Sequence, residues 1–342
     1  MISSYGVRFY VLRNGARLTT LSAMSAPSVD CSADAEINVS MAGIFAPSPL
    51  VNWLTDEIQP VQVIDGVEHP VGVLVPVSYL DTVDANGAKA VQVEAYDRCY
   101  ILKQAKLEAR LHLAAGTLYL DAVMQLLTAA GIALVLQTPS SLTLATDRED
   151  WAAGTSYLTV INTLLQEINY DRISFDTSGA AVLRPAKVPS ASNIDHEYSQ
   201  GLRLLSRQAS RETDAFDAPN VFVAICSNPD FDAPMSATSV NDSPSSALST
   251  VSRGRRIVSV TNVDNIPDQK SLQDYADRLK MDSMLSTETI TVYTANVPGH
   301  SVRDTVALWH PELSGIYQEI GWSLVLSEGQ RMLHTLRKEV VL

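Results

Sequence analysis

The sequence predicts a mixed α+β protein that is mainly β, with two β modules on either side of an α/β insert. Three observations predict this arrangement. β-branched and aromatic residues alternate or cluster through the first third of the chain, the apolar period becomes helical in the middle, and β-type runs return in the last third. We therefore expect domains at residues 1–106, 107–198 and 199–342, a usual number for a chain of 342 residues.

The N-terminal module is predicted to be a small antiparallel barrel or sandwich. Its strand-like runs are VRFYVL, EINVSMAGIF, VQVIDGVEHPVGVLVPVSYL and AVQVEAYDRCYIL, with Gly and Asn at the breaks. The dipeptide Asn14-Gly15 follows the first run, and it is typical of a two-residue β-hairpin turn. We therefore expect the chain to reverse direction there.

Two amphipathic helices are predicted in the middle domain. The first has its apolar stripe at Leu120, Val123, Met124 and Leu127, between Thr117 as the N-cap and Gly131 as the C-terminal stop. The stripe of the second comprises Val160, Ile161, Leu164, Leu165 and Ile168. Stripes of this kind are typical of helix faces that pack into a core, and we assign them to the core rather than to a cofactor site.

The second helix leads into ISFDTSGAAVLRP, which contains a near match to the Asp-Thr-Gly or Asp-Ser-Gly motif of aspartic proteases. That chemistry needs two aspartates that share one proton. Here Ser178 separates Thr177 from Gly179, and no second copy of the motif occurs. The pattern is typical of a hairpin turn, in which Asp176 accepts bonds from its own backbone and Gly179 adopts a positive φ. We therefore interpret Asp176 as a turn residue.

The last third is predicted to be a second β module with one helix. Residues 227–252 are crowded with Ser, Pro, Asn and Asp, and we expect an exposed, mobile loop between two paired strands. A helix is predicted over 271–285, with Ser271 and Asp274 in a capping-box pattern. The basic run Arg253–Arg256 precedes the strand-like IVSVTNV, so we interpret it as an anchor between a loop and a strand.

Charge and composition argue against several classes of protein. The net charge of −13, from 38 acidic and 25 basic residues, opposes binding to nucleic-acid backbones. The three cysteines are far apart and odd in number, which favours a reducing compartment over a disulfide framework or a metal knuckle. The sequence shows no signal-peptide pattern and no run of about 18 apolar residues. We expect a soluble protein that the general secretory route does not export.

The search for catalytic and metal-binding patterns yields no candidate residue. The six histidines are scattered, and His300 and His310 flank an extended run, so we expect them at the surface and roughly 30 Å apart at ~3.3 Å per residue. The triplet Asp195–Glu197 lies in a linker-like segment without a second cluster to complete it. Patterns for a nucleophile elbow, a phosphate loop or a dinucleotide fingerprint do not occur. We therefore predict no catalytic, cofactor-binding or metal-binding residue and no cofactor.

Several segments beyond residue 34 follow one another in a characteristic order. They are VEAYDRCYILKQAKLEARLHLAAGTLYLDAVMQLLTAAGI, YLTVINTLLQEINYDRISFDTSGAAVLRP, FDAPNVFVAI, SLQDYADRLKMDSM and VPGHSVRDTVALWHPELSGIYQEIGWSLVLSEGQRMLHTLRKEVVL. Their order and spacing resemble those of the baseplate hub proteins of tailed bacteriophages and phage-like particles. The likeness covers most of residues 34–342.

The resemblance implies a non-enzymatic structural protein with two tube-like antiparallel β-barrel modules around the α/β middle domain. Hub proteins of this kind form a homotrimeric ring at the tail tip, which presents six barrels to the sixfold tail tube. The implied partners are a tail tube or distal tail ring protein, a tail-tip spike or fibre protein and a tape measure protein. No membrane is implied, and DNA passes through the channel only as transient cargo.

The implied location is the virion, at the tail tip or baseplate, after synthesis in the cytoplasm of the bacterial host. Some longer relatives carry a C-terminal lysin or fibre extension. The sequence ends in RKEVVL, directly after its last predicted strand, so we expect no such extension.

The alternative hypothesis is an acidic hydrolase, either a peptidase or a glycosidase, built on β domains. Any two of the 38 acidic residues could converge in space to form a catalytic pair. A deep cleft with convergent carboxylates would favour the hydrolase, whereas two superimposable barrels would favour the hub.

Overall fold

The computed structural model describes residues 4–199, 204–213, 218–227, 234–263, 265–285 and 288–338. The fold is mainly β with few helices, so the predicted mixed α+β class is confirmed. The barrel form of the two β modules and the three domain boundaries stay predictions.

Eight strands make up the N-terminal part: β1 Tyr5–Arg13, β2 Ala16–Leu21, β3 Ser28–Ser32, β4 Val39–Phe45, β5 Glu57–Ile64, β6 Val67–Pro70, β7 Val75–Val83 and β8 Lys89–Tyr96. Strands β2, β1, β5 and β6 form a four-stranded antiparallel sheet in that order. Between β1 and β2, Asn14 and Gly15 have φ values of 53° and 76°. The predicted hairpin is therefore confirmed, because both central residues of its turn have positive φ.

The middle part contains the helices α1 Cys99–Gln104, α2 Tyr119–Ala129 and α3 Tyr157–Glu167, with the short strands β9 Val135–Gln137, β10 Ser174–Phe175 and β11 Ala181–Leu183. The predicted stripe of α3 is buried, which confirms its assignment to the core. Gly131 follows α2 with φ 79°, as a C-terminal stop requires. The prediction of Thr117 as the N-cap of α2 is wrong by one residue, since Leu118 occupies that position without a side-chain cap bond.

The C-terminal part contains β12 His196–Ser199, β13 Leu204–Thr213, β14 Val221–Cys226, β15 Met235–Val240, α4 Thr250–Arg253, β16 Val258–Val263, α5 Gln269–Leu285, β17 Glu288–Ala295, β18 Thr305–Trp309, β19 Gly315–Val325 and β20 Arg331–Lys338. Strands β15, β14 and β16 form a three-stranded sheet in that order. Helix α5 packs on this sheet through Leu272 and Ala276, against Ala224 and Cys226.

The expectation of an exposed loop at 227–252 is wrong for residues 234–252, which include β15 and α4. Several of their polar side chains are buried, among them Ser239 and Asn241. Two hydrogen bonds favour this burial: Asn241 Nδ2 donates to Ser246 Oγ at 2.9 Å, and the Ser239 hydroxyl donates to Asp277 Oδ1. Residues 228–233 of the predicted loop lie outside the described part of the chain.

The predicted capping box of α5 is also wrong. The side chain of Asp268, just before the helix, accepts a hydrogen bond from the Ser271 backbone N–H at 2.7 Å. Asp274 instead forms an ion pair with Lys270, one turn earlier, at 2.6 Å. The cap therefore lies three residues earlier than the sequence pattern indicated, and the helix begins at Gln269.

One ten-stranded sheet joins the first and last thirds of the chain. Its main path runs β13, β17, β20, β19, β3, β4, β8 and β7, with β18 beside β19 and β12 beside β18. Strand β3 pairs antiparallel with β19, and this register places Cys31 opposite Trp322. A core cluster fills the space between this sheet and the four-stranded sheet, with Phe9 and Val11 on one side and Leu324 and Met332 on the other. The two predicted β modules therefore share a sheet.

The state of the cysteines and the length of the helices complete the description of the fold. Cys31, Cys99 and Cys226 are free and buried. Within the described ranges, the structure contains no helix that is both long and apolar enough to cross a membrane.

Candidate functional site: a buried cluster of histidines and carboxylates

Seven polar side chains meet inside the C-terminal part of the ten-stranded sheet. This histidine cluster consists of His196, Tyr198, Thr294, His300, Asp304, Glu319 and His334. All except His196 are buried, and His196 is only partly exposed. They come from β12, β17, β19 and β20 and from the connection between β17 and β18. The fold therefore assembles the cluster from positions that are far apart in the sequence.

The sheet register places Glu319 and His334 in the interior. On β20, Met332, His334 and Leu336 alternate with more exposed residues, so His334 occupies an inward position between two apolar ones. Glu319 lies opposite Leu336 in the β19–β20 pairing. Both side chains consequently point into the core instead of into solvent.

Glu319 is the centre of the cluster. Its Oε2 lies 2.5 Å from His300 Nδ1 and its Oε1 lies 2.5 Å from His334 Nδ1. An ionised carboxylate only accepts hydrogen bonds, so both histidines donate to it. Burial opposes ionisation of Glu319, but the bonds from His300 and His334 outweigh burial and lower its pKa to about 2.

The second nitrogen of each histidine also has a partner. His334 Nε2 lies 2.7 Å from Thr294 Oγ1, and this hydroxyl donates its single proton to the Ala295 carbonyl oxygen at 2.9 Å. The Thr294 hydroxyl oxygen can therefore accept a hydrogen bond from His334 Nε2.

His300 differs from His334 in its second partner. Its Nε2 lies 2.6 Å from Tyr198 Oη, which can donate, so His300 can be neutral. Burial lowers the pKa of His300, although the hydrogen bond to Glu319 opposes this effect. The hydrogen bonds and the direction of the pKa shift thus agree on a neutral His300.

His196 and Asp304 extend the cluster toward the surface. The rings of His196 and His300 stack, with centroids 3.7 Å apart. His196 Nε2 lies 3.1 Å from Asp304 Oδ2, which also accepts from the Ser301 backbone N–H at 2.7 Å. The cluster therefore contains three histidines and two carboxylates in mutual contact.

Two predictions about this region are wrong. His300 and His310 were expected at the surface, but each is only 4% exposed, because the folded sheet covers them. The triplet Asp195–Glu197 was expected to lie without other potential ligand residues nearby. In the fold, His300 and Asp304 contact His196, although they are about a hundred residues away in the sequence. The signal that could have revealed the site is the inward position of His334 between the apolar Met332 and Leu336 of a strand.

The structure confirms Asp176 as a turn residue. Its Oδ1 accepts hydrogen bonds from the backbone N–H groups of Ser178 and Ala180 and from the Ser178 hydroxyl. Gly179 has φ 83°, as the predicted turn requires. The hairpin tip reaches the histidine cluster, since Thr177 and His300 line the same small cavity.

No protein-family model matches the sequence, and no curated protein is similar enough in sequence to count as a relative. Solved structures do match. A tail protein from Neisseria meningitidis MC58 has a TM-score of 0.68 at 16% identity, over 97% of each chain. The 43 kDa tail protein of prophage MuSo2 from Shewanella oneidensis has a TM-score of 0.67 at 10% identity, over 99% of this chain and 98% of that chain.

The prophage tail protein gp18 from Listeria monocytogenes EGD-e is a third match, with a TM-score of 0.61 at 13% identity over 97% of this chain and 95% of that chain. All three matches extend over nearly the whole of both chains. The resemblance to phage tail proteins is thus confirmed at the level of the fold, and the chain has the fold of prophage tail proteins.

Proposed function

We propose that the chain is a non-enzymatic structural protein of the baseplate of a phage tail or phage-like particle. The observation that carries this proposal is the full-length match to tail proteins, which covers 97–99% of this chain. A match of this extent includes both β modules and the middle domain. The proposed function accordingly belongs to the fold as a whole rather than to one pocket.

Within the baseplate, we propose that the chain acts as a hub, in which three copies form a ring that adapts the sixfold tail tube to the threefold tail tip. Strand β7 supports assembly, because it lies at one edge of the ten-stranded sheet. It also exposes Tyr79, Leu80 and Val83, at 44%, 57% and 63% of their surface. An exposed sheet edge with apolar side chains favours pairing with another chain.

The other proposed partners are a tail tube or distal tail ring protein, a spike or fibre protein and a tape measure protein. The proposed location is the tail tip of the virion. DNA would pass through the channel of this ring as transient cargo. The net charge of −13 favours such passage, because an acidic channel wall does not bind phosphates. We propose that part of the acidic surplus faces the axis of the ring.

One arrangement among the described residues bears on the alternative of an acidic hydrolase. Asp97 and Asp176 line one small cavity, which is the arrangement that a carboxylate pair would need. Both carboxylates, however, accept hydrogen bonds from backbone N–H groups, Asp97 from Val39 and Cys99 and Asp176 from its own turn. These bonds give each aspartate a structural role.

Electron microscopy of native particles tests the proposal, with this chain located by a labelled antibody. We expect the label at the tail tip, and detection only as a protein free of any tail would contradict a baseplate role. Light scattering of the purified chain tests the ring separately. A mass near three times 37.1 kDa is expected for a preformed trimer.

A further inference from the structure

We propose that His300, His334 and Glu319 bind one divalent transition-metal cation, with Zn²⁺ as the reference ion. This inference concerns a site inside the protomer and does not depend on the proposed role in a tail. The potential ligand atoms of these three residues all lie within 4.8 Å of one another. Imidazole nitrogen and carboxylate oxygen are ordinary zinc ligands, and two histidines with one glutamate form a known protein ligand set.

The charge balance of the cluster favours a divalent cation. Glu319 and Asp304 are both buried, at 1% and 6% exposure. Buried carboxylates require compensation by positive charge. A divalent cation supplies two positive charges, which equals the charge of the two carboxylates.

The hydrogen-bond partners at the Nε2 atoms of His334 and His300 suit metal binding through the Nδ1 atoms of these histidines. A metal-binding histidine usually donates its other ring N–H to an oxygen, which fixes the tautomer. Thr294 accepts from His334 Nε2, because its own proton is donated to the Ala295 carbonyl oxygen. In the neutral state of His334, this bond leaves the lone pair on Nδ1, the atom that faces Glu319. Tyr198 Oη lies 2.6 Å from His300 Nε2 and can accept a hydrogen bond from it when Nδ1 of His300 binds the metal.

Binding requires a small expansion of the site. The two Nδ1 to carboxylate distances are now 2.5 Å, whereas tetrahedral zinc ligands with bonds of about 2.0–2.1 Å lie about 3.3 Å apart. His300 can supply this movement, because it lies in the connection between β17 and β18, directly after Gly299 with φ 91°. It also borders a cavity of about 20 Å³, which leaves space beside the ring for such a movement.

A bound cation would tie this connection to β19 and β20. Without the cation, the hydrogen bonds between Glu319 and the two histidines hold the same groups together, which is the arrangement that the distances describe.

The test uses the full chain without a polyhistidine tag. The protein is stripped with EDTA, equilibrated with ZnCl₂ or CoCl₂, desalted and analysed by mass spectrometry of its metal content. We expect about one Zn²⁺ per chain, a visible absorption band with Co²⁺, and a Tm that is several degrees higher in Zn²⁺ than in EDTA. A wild-type chain that retains no metal and has the same Tm in both solutions overturns the proposal.

Three variants establish where the metal binds. His334→Asn and Glu319→Gln should each lower the affinity for Zn²⁺ at least about tenfold, by loss of a ligand. His310→Asn is the matched control, since His310 is an equally buried histidine outside the cluster, and it should keep the wild-type affinity. Retention of one tightly bound Zn²⁺ in both cluster variants would place the ion elsewhere and overturn the assignment. If a variant fails to fold, the metal content and the Co²⁺ spectrum of the wild type still decide.

Discussion

Arg98 Nη1 donates a hydrogen bond to the Gly179 carbonyl oxygen at 2.8 Å, and this bond joins the start of α1 to the tip of the β10–β11 hairpin. The same guanidinium forms a bidentate pair with Glu57, with both distances at 2.7 Å. Arg98 and Glu57 are only 17% and 16% exposed. One cation therefore connects β5, the start of α1 and the β10–β11 turn.

We expect Arg98→Met to lower the free energy of unfolding by about 3 kcal/mol, because Glu57 would remain largely buried without its cation. Urea unfolding followed by circular dichroism measures the loss. The control is Arg110→Met, at an exposed position, which should change stability by less than about 0.5 kcal/mol. Equal losses in the two variants would contradict this role of Arg98.

Asp176→Ala should lower the free energy of unfolding by only about 1 kcal/mol, through loss of local hydrogen bonds in a partly buried turn. Chemical denaturation checks the value, with the neighbouring Thr177→Ala as the control. We expect no change in any peptide hydrolysis by the protein. Hydrolysis that is present in the wild type and absent in the variant would restore Asp176 as a catalytic candidate.

Gly179→Ala and Gly87→Ala form a matched pair, because both glycines have φ near 80°. A Cβ at Gly87 meets nothing within 4 Å, so only backbone strain of about 1–2 kcal/mol is expected. A Cβ at Gly179 would lie 2.9 Å from Val73 Cβ and must displace it. We therefore expect a larger loss of stability for Gly179→Ala in thermal unfolding, and equal losses would show that the hairpin tip is not packed on Val73.

Asp97 should make the stability of the protein depend on pH. Burial raises its pKa to about 6, although hydrogen bonds from the Cys99 and Val39 backbone N–H groups oppose the shift. The folded state therefore holds this proton more tightly than the unfolded state, whose pKa is near 3.8. The resulting stabilisation is fully present below pH 3.8 and is lost as the pH rises through 6.

Asp97→Asn removes this titration. The stability advantage of the wild type over the variant should shrink by about 3 kcal/mol between pH 3 and pH 7, at about 1.4 kcal/mol for each unit of pKa shift. Denaturant unfolding across this range measures it. Leu102→Ala, which removes buried apolar volume from α1, should cost a similar amount at every pH. A difference between wild type and Asp97→Asn that does not vary with pH would refute the raised pKa.

The β7 edge gives a prediction about assembly. Leu80→Lys and Val83→Lys should weaken self-association, because a lysine on an edge strand opposes pairing with another chain. The folded protomer should be unaffected, since both side chains are already exposed. Val67→Lys is the control, as an equally exposed valine on β6 of the other sheet. Analytical ultracentrifugation compares the masses, and a trimer that persists in both edge variants would exclude β7 from the interface.

The sequence by itself determined the features that depend on near neighbours. Residues that favour positive φ predict the Asn14-Gly15 hairpin, and a short polar side chain beside a glycine predicts the turn at Asp176. Helical spacing of apolar residues predicts the buried stripe of α3. The mixed α+β class also follows from local periods. The errors at Thr117 and Ser271 are shifts by one and three residues: the N-cap position of α2 is the apolar Leu118, and Asp268 caps α5 in place of Ser271.

Only the tertiary structure decided the features that depend on distant pairing. Glu319 meets His300 and His334 because the connection between β17 and β18 folds over the β19–β20 pair, and no local pattern encodes that contact. The register of β3 against β19 likewise joined two predicted modules into one sheet. Residues 234–252 are held in place by the hydrogen bond from Asn220 Nδ2 to the Leu248 carbonyl oxygen and by bonds within the segment, such as that from Asn241 Nδ2 to Ser246 Oγ. The residues that form such contacts are mostly far apart in the sequence. The contacts therefore stabilise the protein only once folding has brought these residues together.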